Sequence, residues 1–158
     1  MSTLAALAVS LPLETLKPGD RLTTEGSYSG RLYLLEAGRL TVSRDGVDIA
    51  HIEEPWAIIG EMAVLLGTPH SATVTADTTV RVRVIDEALD VLSQNPDFAL
   101  HIATLACARL NATSALLVDL RRAAEGKKQE QSLMGRILTA MLATPKVTGR
   151  AAKWADHE

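Results

Sequence analysis

Aromatic rings and thiols are scarce in this chain. Phe, Trp and Tyr together make up 3% of its 158 residues, and Cys107 is the one cysteine. With so few rings the core must be built from Leu, Val, Ile and Ala, which a chain of this length can still bury in one domain. A single thiol excludes an internal disulfide framework and suits a reducing compartment. Positive charge is not in excess: 16 Lys and Arg stand against 19 Asp and Glu. A non-specific nucleic-acid surface would need a basic face. No apolar run reaches the length of a membrane span. No basic residue precedes the Leu/Ala-rich start, as a secretory signal would require. The expectation is a cytoplasmic protein without a membrane partner. His51, His70, His101 and His157 are scattered, with no His-x-His or His-x-x-x-His pair, so no metal is expected. Ser71 has no partnered base in view and Cys107 falls within a helical stretch, which argues against an enzyme.

What the chain does have is order in its punctuation. Met1 to Leu16 reads as a short helix packed on the domain, or as a frayed terminus. From Lys17 to Asp86, Gly and Pro separate short runs of Leu, Val, Ile and Thr. Strands are predicted at Arg21–Thr24, Leu32–Leu35, Leu40–Ser43, Val47–Ile52, Ala72–Ala76 and Val80–Ile85. Asp45-Gly46 is a strong hairpin signal, because both positions tolerate positive φ. Val80, Val82 and Val84 alternate with Arg81 and Arg83, giving one buried and one wet face. Many short strands at regular spacing mean a sandwich or a barrel-like roll. Asp86 to Asn95 is predicted helical, and Asp97 can cap a longer helix from about Phe98 to Ala124. On that helix Ala99, Ala103, Ala106, Leu110, Thr113, Leu117, Leu120 and Ala124 form a coiled-coil-type seam. A second apolar band, Leu100, Leu105, Ala108, Ala112 and Leu116, is expected to pack on the roll. Two apolar faces call for a partner helix, most simply from a second copy of the chain. Gly126 to Gln131 reads as a polar break. Ser132 to Ala143 reads as an amphipathic helix through Leu133, Ile137, Leu138 and Met141, followed by a loose tail from Thr144.

The stretch with the most chemistry is Gly60 to Thr73, GEMAVLLGTPHSAT. Gly60 lets the backbone approach a ligand closely. Met62 to Leu66 is predicted as one or two turns of helix whose first N–H groups have no intrahelical partner and favour a phosphate. Glu61 would repel a bare phosphate but suits the hydroxyls of a sugar. An anion beside a hydroxyl points to a nucleotide with a compact phosphate.

These residues resemble the phosphate-binding cassette of cyclic nucleotide-binding domains, found in the bacterial catabolite-activator family and in cyclic-nucleotide-regulated kinases and channels. That cassette reads roughly Phe-Gly-Glu-Leu-Ala-Leu-Leu, a variable turn, then Arg-(Ser/Ala)-Ala-(Thr/Ser). Here Gly60, Glu61, Met62, Ala63, Val64, Leu65 and Leu66 match the first half, and Ser71, Ala72 and Thr73 the second. His70 stands where the family has arginine. The family's glycine pattern returns as Gly19, Gly26 and Gly38, and its Leu-Tyr-x-Leu strand as Leu32 to Leu35. Glu53-Glu54-Pro55-Trp56 replaces a turn that usually carries Gly. In the long helix, Arg109-Leu110-Asn111-Ala112-Thr113-Ser114 matches the activator branch's Arg-Leu-x-x-Thr-Ser.

The resemblance implies an α+β fold: a jelly-roll-like antiparallel β-roll with a short cassette helix and C-terminal helices, one of them a long dimerisation helix. A cyclic nucleotide-binding-like domain would span 1–124, with its roll at 17–86 and helices at 87–124, and residues 125–158 would hold a short helix and tail. It also implies a cAMP or cGMP ligand, without metal, held by Gly60, Glu61, Met62, Ala63, His70, Ser71, Ala72 and Thr73. Glu61 would accept from the ribose 2′-hydroxyl and Ser71 would donate to the cyclic phosphate. Thr113 and Ser114 would contact the base, one of them across a homodimer. Thr113 reads equally as the polar position that sets the register of a helix pair. Histidine for arginine removes a permanent charge and a two-toothed fork, at a cost of about 1.5–3 kcal/mol. The implied function is a regulatory sensor acting through its helix, on itself or on an effector protein. The alternative is a dimerisation or interaction scaffold that has lost its ligand. Too few residues come after the helices for a winged helix-turn-helix, so direct DNA binding is not expected.

Overall fold

The computed structural model describes residues 3–124 and 128–142. They fall into two compact units divided between Ala99 and Leu100. The first unit opens with helix α1 (Thr3–Val9). Strands β1 (Leu13–Leu16), β2 (Arg21–Thr23), β3 (Leu32–Ala37), β4 (Leu40–Arg44), β5 (Val47–Ile52) and β6 (Ile58–Ile59) come next, then helix α2 (Glu61–Leu66), strands β7 (Thr73–Ala76) and β8 (Val80–Ile85), and helix α3 (Ala88–Gln94). One antiparallel sheet runs β1-β8-β3-β6 and the other β2-β7-β4-β5. This is the expected antiparallel roll with helices attached.

Its core is aliphatic, as the shortage of rings requires. Leu16, Leu35, Leu40, Ile59, Val74, Val80, Val82 and Val84 cluster with Tyr33 as the one buried ring among them. The valines of β8 are buried and Arg81 is exposed, in keeping with the period of two. Arg83 departs from the wet face predicted for it. β8 is central, flanked by β1 and β3, and Arg83 lies half-buried, donating to the Leu11 carbonyl at 3.0 Å and to Glu36 at 3.4 Å.

Two strands escape the sequence pattern. Leu13–Leu16, expected to belong to a helix or a frayed end, pairs with β8 from Leu13↔Arg83 to Leu16↔Val80. Only Leu16 of it is buried, so no alternation marks it. Ile58–Ile59 has two residues and no period at all. The Asp45-Gly46 hairpin forms as predicted, with φ of 51° and 76°. The turn before β6 places a positive φ on Trp56, at 68°. Gly38, between β3 and β4, has φ of +104°, and a Cβ there would lie 2.6 Å from the Thr79 carbonyl oxygen. The β3–β4 turn therefore packs backbone against backbone at the start of β8.

Helix α4 (Pro96–Ala123) begins in the first unit, and α5 (Lys128–Leu142) lies in the second. Phe98 and Ile102 of α4 are buried. Of the second apolar band, Leu100 and Leu116 are 67% and 60% exposed and Leu105 is half-buried. Of the seam, Leu117 and Ala124 are buried, whereas Leu110 and Leu120 are 50% and 47% exposed. By length and composition alone α4 is apolar enough to cross a membrane. No unbroken apolar run announces this in the sequence, because His101, Thr104, Arg109, Asn111, Thr113 and Ser114 interrupt the apolar residues. One such helix is weak evidence for a span. Helix α5 starts inside the expected polar break, at Lys128; the tail from Thr144 lies outside the described residues.

Candidate functional site

The Gly60–Thr73 stretch crosses from one sheet to the other. Its start is tied to the first sheet by β6, where Ile59 pairs with Tyr33 and Ile58 with Leu34. Its end becomes β7 of the second sheet, between β2 and β4. Between them lies α2. Gly60 caps it with φ of 94°, and Gly67 ends it with φ of 64°. The first intrahelical bond runs from Val64 N–H to the Gly60 carbonyl at 3.2 Å, so the amides of 61–63 precede the ladder. A side chain at Gly60 would force the backbone to shift: its Cβ would meet the Arg31 carbonyl oxygen at 2.8 Å.

The two halves of the stretch meet around a cavity of about 80 Å³. Gly60, Glu61, Met62 and Ala63 line it from the α2 side, and His70, Ser71 and Ala72 from the other. Thr23, Ile59 and Val74 complete the lining. No pattern in the sequence singles these three out; β2, β6 and β7 bring them there. Ser71 is exposed and Ala72 half-buried. Thr73 is not among the lining residues: its hydroxyl accepts from Glu25 N–H at 3.0 Å. Thr113 and Ser114 lie on α4 in the second unit. The Thr113 hydroxyl donates to the Arg109 carbonyl at 2.8 Å, one helical turn back.

His70 is held on three sides. Its N–H donates to the Ser27 carbonyl at 2.8 Å and its carbonyl accepts from Gly26 N–H at 2.9 Å. Its ring Nε2 lies 2.8 Å from Ser29 Oγ. The side chain is 5% exposed, and burial pushes the imidazole pKa below its ordinary value. Near neutral pH the ring is therefore neutral, and it supplies no fixed positive charge to the cavity. The Ser29 contact spans 41 positions, and nothing in the sequence flags it except the general need of a buried ring nitrogen for a partner.

Ser29 itself lines a second cavity, of about 320 Å³, with Tyr28, Gly30, Val64, Glu87 and Leu89 among its walls. Ala63 borders both cavities. No group of three or more His, Cys, Asp or Glu suited to a metal occurs among the described residues. Chemically the smaller cavity offers backbone amides, a hydroxyl, a carboxylate and a neutral imidazole. That set fits a small anion with an adjoining hydroxyl.

Comparison with known proteins points the same way. Residues 13–92 match the family model described as cyclic nucleotide-binding domain. Over 84 residues the chain is 33% identical to the cAMP-dependent protein kinase regulatory subunit of Eremothecium gossypii, covering 53% of this chain and 18% of that protein. Over 82 residues it is 38% identical to a cGMP-dependent protein kinase of Toxoplasma gondii, covering 51% of this chain and 8% of that protein. The chain thus spans less than a fifth of either relative's length. The crystal structure of a cyclic nucleotide-binding domain from Methylobacillus flagellatus shares the fold, with a TM-score of 0.62 at 23% identity, covering 72% of this chain and 70% of that one. With the roll, the capped α2 and the two-sided cavity all falling inside the matched residues, the chain belongs to the cyclic nucleotide-binding domain family.

Proposed function

We propose that this protein is a cyclic nucleotide receptor, a cytoplasmic regulatory module for cAMP or cGMP rather than an enzyme. The observation that carries this reading is the cavity lined from both sides by Gly60–Ala63 and His70–Ala72. In this reading the cyclic phosphate sits against the amides of 61–63 and the Ser71 hydroxyl. Glu61 takes the ribose 2′-hydroxyl. His70 replaces the arginine of the family as a weaker phosphate ligand. Thr73, whose hydroxyl is engaged by Glu25, acts by fixing the loop. Thr113 and Ser114 contact the base.

Calorimetric titration with each nucleotide at pH 6 and pH 8 tests it. Burial lowers the His70 pKa in the free protein, and a bound phosphate raises it, so binding takes up a proton at pH values between the two. Affinity therefore rises as pH falls through the range between the bound and free pKa values. Micromolar binding, tighter at pH 6, is the expected result. No heat from either nucleotide up to millimolar concentration, at both pH values, sinks the receptor reading. The scaffold reading would then stand, favoured by the burial of His70 against Ser29.

Output is assigned to α4. Leu100, Leu110, Leu116 and Leu120 are exposed along it, and a second copy of the chain would cover such residues. Sedimentation at micromolar concentration is expected to show a dimer, and Leu110→Glu to shift it towards monomer by about tenfold or more. A monomer at all concentrations would leave an effector protein as the partner.

A further inference from the structure

We propose that Ser29 competes with the bound nucleotide for His70, and so sets both the affinity of the site and what its occupancy releases. The inference rests on the receptor reading above. Nε2 is the ring nitrogen farthest from the backbone, the one an arginine substitute must present to a phosphate. In this structure it is taken by Ser29 Oγ at 2.8 Å. The same hydroxyl accepts from Arg31 N–H at 3.3 Å. His70 cannot bond Ser29 and a phosphate oxygen through the same nitrogen, so one partner displaces the other. The guanidinium of Arg31 does not take over at once, being committed to Asp86 at 2.7 Å and facing Glu14 at 3.8 Å.

The displaced bond is the side-chain tie between His70 and the 26–31 loop, whose end stays paired through Arg31 with Asp86. That loop carries α3, because the Gly30 carbonyl accepts from Ala88 N–H at 3.1 Å. The two segments hold elsewhere by backbone: Gly26 N–H to the His70 carbonyl and His70 N–H to the Ser27 carbonyl. Occupancy therefore leaves these backbone bonds in place and frees Ser29 together with the wall of the 320 Å³ cavity. The element this loosens is the N-terminus of α3, beside Glu87 in the left-handed region at φ of 47°.

The test is a double-mutant cycle of Ser29→Ala and His70→Ala in the full chain, read by cAMP and cGMP titration at one pH. Ser29 is exposed, so the fold should tolerate its change, and a thermal melt confirms it. Removing the competitor is expected to tighten binding by about twofold to tenfold. In the His70→Ala background Ser29→Ala is expected to change nothing. Ser29→Thr, which keeps the hydroxyl, is expected to bind as wild type. On nucleotide addition, amide exchange at Ala88–Asp90 should rise in wild type but not in Ser29→Ala, where the tie is already gone. Unchanged or weaker binding by Ser29→Ala, or an equal effect in both backgrounds, overturns the competition while leaving the receptor reading intact. No binding by wild type or by any variant overturns both.

Discussion

Gly60→Ala is expected to cost about 2–5 kcal/mol of folding stability and to weaken nucleotide binding by roughly a hundredfold or more. The two components are separable. An L-residue in the left-handed region costs roughly 1–2 kcal/mol, and Gly60 sits at φ of +94°. The added Cβ would also stand 2.8 Å from the Arg31 carbonyl oxygen. That carbonyl cannot retreat cheaply, because the next residue, Leu32, is fully buried and paired with Ile85. Overpacking of this kind adds about 1–3 kcal/mol. The relief available is to move Gly60 itself, which shifts the 61–63 amides away from Ser71 across the cavity. Gly46→Ala is the control: φ is +76° but nothing lies within 4 Å of its Cβ. It should lose only the strain component and leave binding unchanged. Urea melts and titrations of both variants decide the matter. Equal losses of stability with wild-type binding by both would show that Gly60 is a turn glycine and no more.

His70→Arg is expected to tighten cyclic nucleotide binding by about tenfold to a hundredfold. A charge-assisted bond contributes roughly 1.5–3 kcal/mol, and guanidinium adds a fork that meets two phosphate oxygens. The position works against arginine at first sight, since the native side chain is 5% exposed. Yet an unpaired guanidinium does not stay buried. The longer side chain has a space to enter, the cavity it would share with Gly60, Ser71 and the carboxylate of Glu61. Ser29, exposed on its loop, exchanges His70 for water at little cost. The variant's affinity should also lose the pH dependence expected of wild type between pH 6 and pH 8, because arginine does not titrate there. No gain in affinity from a folded variant would mean that the cavity does not hold the phosphate. A gain that keeps the wild-type pH profile would mean that His70 was never its ligand.

Sequence alone determined whatever is written within a few residues. The Asp45-Gly46 hairpin, the buried valines of β8 and the end of α2 at Leu66 rest on local backbone preference and side-chain period, and each is found where it was predicted, while α2 starts one residue early, at Glu61, and Arg83 leaves the wet face. The shortage of rings fixed the aliphatic character of the core. The Gly-Glu and His-Ser-Ala pieces marked both halves of the cavity, because close backbone approach shows in the sequence as small residues at short spacing. Tertiary structure decided the rest. β1 has a single buried residue, and it is a strand because the edge of β8 is there to pair with it. β6 is too short to have a period and is defined by Tyr33 and Leu34 alone. The apolar band of α4 looked like a packing face, but composition cannot say whether anything covers it, and Leu100 and Leu116 lie exposed. Above all, the sequence marked His70 as the departure from the family, but only the fold shows its state. Burial removes water from the ring and favours its neutral form, and the turn from Gly26 to Gly30 brings Ser29 to Nε2 from 41 positions away. A pairing at that separation leaves no local trace, because it arises from how two sheets close on each other and not from any preference of the residues between.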